Sequence, residues 1–201
     1  DIFYDKEAIE IFNNANINLS VAVSKINLAN TYLMIDEEEE ALKMYEEVLA
    51  FSETVNFMPL ILHAKCYLVY FYAQANSDKC EPLLAGLDTL VSQLDYAGLS
   101  QYYKAKIFFY QNHEKYQSAI KFANKFRELA MENTHDEKDA FDFLAGLHHK
   151  LGNYKQAYDY HVQFKILSDS TINQEQLANI KILEAQYHFD KEQLAIEKMH
   201  H

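Results

Sequence analysis

Apolar positions recur along this chain three and four residues apart and rarely alternate, the spacing of helices rather than strands. A helix is expected near Ile2–Ile17, with Ala8, Phe12 and Ala15 on one stripe. Two more follow near Leu19–Ile35 and Glu37–Phe51, broken at Asp36, with Ala29 and Tyr32 on the first and Ala41 and Tyr45 on the second. Asn56 is expected to cap the next helix, with Pro59 in its first turn, where a missing N–H is tolerated. Phe71 and Cys80 hold the aromatic and small positions of that pair, and Pro82 and Gly86 predict a late or bent second helix. Tyr110, Tyr116, Ala119 and Phe126 mark a third pair. Thr134 with Glu137 reads as a capping box opening a helix with Phe141, Leu144, Ala145 and His148. Gly152 stops that helix, and Asn153 with Gln156 starts another carrying Tyr154, Ala157, His161 and Phe164.

The small residues Ala41, Cys80, Ala119 and Ala157 stand at intervals of 39, 39 and 38 residues. A fixed period of that size predicts helical hairpins stacked in single file, each nested on its neighbour through small side chains. The expected fold is all-α. Residues 1–17 form the second helix of an incomplete repeat, so the chain reads as a piece of something longer. Four repeats follow at about 18–55, 56–97, 98–133 and 134–170, and residues 171–201 form a long capping helix opened by Thr171 with Gln174. That last helix carries a heptad ladder, Ile182, Phe189 and Ile196, with Met199 beside it, and a second one, Ile180, Tyr187 and Leu194. Two apolar sides allow it to cover the last repeat and to meet a second chain as a homodimer seam.

Composition agrees with hairpins. Four Gly and two Pro are too few for a loop-rich chain, and 49% hydrophobic residues suffice for a core. The formal charge of −12 disfavours nucleic acid and anionic lipid as partners of this segment, and in a sharper reading selects a basic partner. The run Asp36–Glu40 is explained by its place at a helix start, where carboxylates meet the positive end of the dipole. Cys66 and Cys80 have neither metal spacing nor scaffold density and read as small core residues on neighbouring helices. The longest apolar run, Cys66–Ala73, is far short of the roughly 20 residues of a membrane span.

These residues resemble the tetratricopeptide repeat. Leu151–Ala157 matches that signature's Gly, Tyr and Ala, and Leu144, Ala145 and His148 fill the Leu-Gly and Tyr places of the preceding helix. The series Ala29, Tyr32, Ala41, Tyr45 and the series Tyr110, Tyr116, Ala119 fit the same template. The period exceeds the roughly 34 residues typical of the family, and the family's Trp is absent. The resemblance implies a right-handed superhelix whose first helices line a concave groove that holds a protein or peptide. The residues themselves complete no metal coordination shell and carry no catalytic motif, so a module without catalytic activity, cofactor or metal is expected. Leu183–Met199 resembles the helix that follows such repeats in membrane-anchored bacterial regulators, which implies a sensory, periplasmic region of a signal-transducing protein. Cytosolic peptide receptors and plain scaffolds are the competing readings.

Applied to this register, the resemblance puts Asn30, Val69, Phe108 and Gly146 in equivalent groove places, with Ile26, Lys65, Lys104 and Asp142 four residues earlier and Tyr72, Gln111 and His149 also facing inward. Lys65 and Lys104 would receive a carboxylate, and Tyr72 and Phe108 would stack on apolar parts. Only Asn30 matches the Asn of the family's carboxylate clamp, so a clamp of that type is not expected. His148, His149 and His161 gather in the fourth repeat, but packing accounts for His148, which takes the place of Tyr32, Phe71 and Tyr110. No Gly-rich phosphate loop, nucleophile elbow or kinase signature is present.

Overall fold

The computed structural model describes residues 2–15, 17–131 and 133–170. The ladders expected at Ile182, Phe189, Ile196 and Met199 lie outside the described residues. Among the described residues the fold is all-α, with one 3-10 turn and no strand. The helices are α1 (Ile2–Asn14), α2 (Asn18–Met34), α3 (Glu38–Thr54), α4 (Met58–Gln74), α5 (Cys80–Asp88), α6 (Tyr96–Asn112), α7 (Tyr116–Leu129), α8 (Thr134–Lys150) and α9, residues 154–170. None of the described helices is long and apolar enough to cross a membrane. The chain divides into two compact units, Asp1–Glu132 and Asn133–His201.

In the first unit each helix packs on its neighbour in sequence, and α4 also packs directly on α6. The hairpins close on small side chains: Ala41 and Ala119 are fully buried, each one turn ahead of a second buried residue, Tyr45 or Ala123. A larger residue at either place would have to displace its neighbours. Cys80, Leu84 and Leu87 repeat that buried stripe on α5, and Cys66 and Cys80 are free thiols in one core cluster.

One turn geometry recurs. Asp36, Asn76, Glu114 and Gly152 all have positive φ, between 52° and 75°. In each case the N–H of the following residue donates to a carbonyl five positions back: Glu37 to Tyr32, Ser77 to Tyr72, Lys115 to Tyr110 and Asn153 to His148, at 2.8–2.9 Å. This double-bonded turn satisfies the last carbonyls of the first helix and reverses the chain. The turn after α3 has the same form, with Asn56 at φ 52°. Asn56 is therefore the left-handed residue that ends α3, not the cap of α4, whose capping place belongs to Phe57. Similarly, Asn133 rather than Thr134 caps α8, accepting from the N–H groups of His135 and Asp136.

The turns also correct the register of α4. The residue four before the left-handed one is Tyr32, Tyr72, Tyr110 or His148, so Tyr72, not Phe71, is the equivalent ring. Six positions earlier stand Ile26, Cys66, Lys104 and Asp142, so Cys66 takes the place expected for Lys65, and Tyr70 that expected for Val69. The turn itself absorbs the slip. Ala41, Ala119 and Ala157 stand five residues after the left-handed residue and Cys80 only four, which keeps the 39-residue interval intact.

The second hairpin departs most from the others. Its α5 has 9 residues against 17 in α3, and a 3-10 turn, Val91–Gln93, follows it. Pro82 sits in the first turn of α5, where it breaks no hydrogen bond. The end of α5 is held by α6: Asp88 accepts from the Tyr102 hydroxyl at 2.6 Å and from Lys106 Nζ at 2.7 Å.

In the second unit the ring of His148 lies against Tyr160, with centroids 5.5 Å apart and planes at 23°. The stack of Tyr110 on Phe122 in the α6–α7 hairpin has the same twelve-residue separation. Burial lowers the pKa of His148 from its ordinary 6.5, as expected of a histidine that serves as a packing ring.

Candidate functional site

A hollow of about 530 Å³ spans the N-terminal halves of α2, α4 and α6. From α2 come Val23 and Ile26, from α4 Leu62, His63 and Cys66, and from the α6 end Leu94, Asp95 and Gly98. Met58 and Pro59 form part of its edge. Val23 and Met58 are 45% and 43% exposed, and Phe57 and Tyr96, which adjoin this lining in the chain, are also exposed. Exposed apolar side chains beside a concave apolar floor are the kind of surface that ligand and partner sites use.

Three lining residues are chemically versatile. Cys66 is fully buried, and burial, with a smaller contribution from the Asp95 charge, pushes its thiol up to about 12. It is therefore a protonated thiol rather than a nucleophile. Burial lowers the pKa of His63 from 6.5, against the opposing charge of Asp95, so the ring is neutral. Its Nε2 is buried without a hydrogen-bond partner, and its face lies 4.9 Å from Tyr67. Asp95 Oδ1 accepts from the Gly98 N–H at 2.8 Å and so caps α6. Gly98 leaves that approach open, because an added Cβ would meet Asp95 Oδ1 at 3.2 Å and Cys66 Sγ at 3.4 Å. A cysteine, a histidine and an aspartate thus share the hollow, and among the described residues no hydrogen bond joins them. Among the described residues no three His, Cys, Asp or Glu side chains converge as a metal site.

Of the residues expected in the groove, Ile26 lines this hollow and the others do not. Asn30 accepts the Tyr45 hydroxyl at 2.7 Å inside the α2–α3 hairpin. Lys65 pairs with Glu53 at 3.1 Å. Tyr72 donates to Glu46 at 2.6 Å, with Lys79 Nζ 5.0 Å above its ring, and lines a separate open hollow of about 610 Å³ with Leu49, Leu68, Pro82 and Leu83. The Tyr72 hydrogen bond, aided by Lys79, holds the Glu46 carboxyl below its usual pKa. Lys104 Nζ lies 5.0 Å over the Phe126 ring, Phe108 meets Tyr70 edge-on at 6.0 Å, and Gln111 is half-buried on α6. Asp142 and His149 do come together. With Tyr154, Tyr158 and His161 they line a hollow of about 420 Å³ in the second unit. The signal that finds the first hollow is the turn register, which aligns Ile26 with Cys66; a register drawn from small residues alone selects Lys65 instead.

No protein-family model matches the chain, and no curated protein matches it significantly.

Proposed function

We propose that this chain is a non-catalytic module that recognises a peptide or an extended protein segment, through hairpins of the tetratricopeptide type. The observation that carries the reading is the apolar hollow contributed jointly by α2, α4 and α6, the first helices of successive hairpins. A surface assembled from equivalent helices suits an extended chain, which offers side chains at regular steps. The buried, protonated Cys66 and the unrelayed His63 favour binding over catalysis. The sensory role in a membrane-anchored regulator rests on Leu183–Met199, outside the described residues, and would add an output to the same recognition surface.

Selection of a random displayed peptide library on the protein tests the reading. Recovered peptides should bind the wild type and lose about tenfold in affinity to a Val23→Gln, Met58→Gln variant, whose two changes lie at exposed positions. Peptides that bind the variant as well as the wild type would remove the hollow from the account.

A further inference from the structure

We propose that the hollow across α2, α4 and α6 takes a bulky apolar side chain from a basic segment, with Asp95 meeting the cation beside that anchor. The inference rests on the peptide-recognition reading above and adds the anchor's chemistry and the ligand's charge.

The lining decides both. Val23, Ile26, Leu62 and Leu94 give apolar walls, and the volume of about 530 Å³ falls in the range of ligand sites, roughly 300–1,000 Å³. An apolar side chain entering it removes both apolar surfaces from water, the main favourable term in such docking. Among the lining residues Asp95 is the one full charge, because His63 is held neutral by burial, and no Lys or Arg takes part. The Asp95 carboxylate is exposed, and its one cap bond leaves accepting capacity unused. That carboxylate also offsets the positive end of α6, which would otherwise favour an anion.

The cations on the contributing helices point to the same sign of ligand. Lys25 on α2 pairs with Glu47 at 2.6 Å, Lys65 on α4 with Glu53 at 3.1 Å and Lys106 on α6 with Asp88 at 2.7 Å, while Lys104 on α6 lies over the Phe126 ring. An acidic peptide would have to compete with those carboxylates and would meet a chain of formal charge −12. A basic one is attracted at long range and meets Asp95 at the mouth.

Isothermal titration calorimetry with three hexapeptides tests the proposal: Lys-Lys-Leu-Phe-Lys-Lys, Glu-Glu-Leu-Phe-Glu-Glu and Lys-Lys-Ser-Ser-Lys-Lys, each blocked at both ends. The first should bind at least about tenfold more tightly than either of the others. Asp95→Asn retains a good capping side chain while removing the charge, so it should weaken the first peptide about threefold and leave the unfolding midpoint near the wild-type value. Met58→Gln should weaken both Leu-Phe peptides. If the glutamate peptide binds as tightly as the lysine peptide, or Asp95→Asn leaves affinity unchanged, the charge assignment is overturned while the recognition reading stands. If neither Leu-Phe peptide binds, or Met58→Gln weakens neither, the recognition reading falls with it.

Discussion

The hydroxyl of Tyr45 donates to Asn30 Oδ1 at 2.7 Å across the α2–α3 hairpin, while the Tyr45 ring stacks on Tyr67 of α4, with centroids 4.6 Å apart. One fully buried side chain therefore ties two hairpins together, and burial raises its pKa well above the ordinary 10.0. Tyr45→Phe keeps the stack but orphans Asn30, and should cost about 1–2 kcal/mol in urea unfolding. Tyr45→Ala should cost about 3–5 kcal/mol, because the cavity adds to the lost contacts. Asn30→Ala should lower stability without changing affinity for a groove peptide; the reverse pattern would return Asn30 to the groove.

The left-handed turn residues give a prediction of the opposite sign. Glu114 holds φ 57° with a Cβ, a conformation disfavoured by about 1–2 kcal/mol for such residues. Glu114→Gly should therefore stabilise the first unit by about 0.5–1 kcal/mol, after the entropy of the extra glycine freedom is subtracted. Gly152→Ala, at φ 75°, should destabilise by about 1 kcal/mol. Thermal unfolding midpoints of the two variants should move in opposite directions.

Lys106 is buried against Asp88, with its Nζ 5.5 Å over Tyr102 and 5.8 Å over Phe122. Lys106→Met keeps the apolar stem and removes the charge-assisted bond, so its expected cost is about 1–2 kcal/mol. Asp88→Asn should cost at least as much, since it leaves the buried Lys106 ammonium without its counter-charge, whereas the Asp88 left by Lys106→Met is exposed enough to be solvated. A double-mutant cycle on the two positions should give a favourable coupling; zero coupling would show that α5 is not anchored through this pair.

His63 and His148 both have a pKa lowered by burial from 6.5. Below that value the unfolded chain binds more protons than the folded one, so stability rises with pH across the window between the lowered values and 6.5. It is lost as the solution is acidified through that window. The groups near His63 are the Tyr45 and Tyr67 rings and the Asp95 carboxylate, and the last of these opposes the shift. Urea midpoints taken between about pH 7.5 and pH 5.5, above most carboxylate titrations, should fall, and His63→Gln should reduce the slope. An unchanged slope would mean that His63 is not held neutral.

Helix positions and the nested small residues were legible because they follow from periodicity and size alone: Ala41, Ala119 and Ala157 are all buried. The site was less legible. Asn30, Lys65 and Lys104 look like groove residues when repeats are aligned on small positions, yet each is engaged with Tyr45, Glu53 or Phe126. A one-residue slip rotates a helical position by about 100°, so aligning on Lys65 instead of Cys66 exchanges one face of α4 for another. The compensating deletion in the turn before Cys80 hides that slip, because the repeat interval stays at 39. The short α5, pinned by Asp88 to Tyr102 and Lys106, depends on contacts between helices that no local pattern encodes.

Backbone amide chemical-shift mapping with the Lys-Lys-Leu-Phe-Lys-Lys peptide tests the central claim most directly. The largest changes should fall on Val23, Leu62, Leu94 and Gly98, around the shared hollow of α2, α4 and α6. Changes centred instead on Leu49, Tyr72 and Leu83, or on His149 and Tyr158, would place recognition in another hollow and contradict the account.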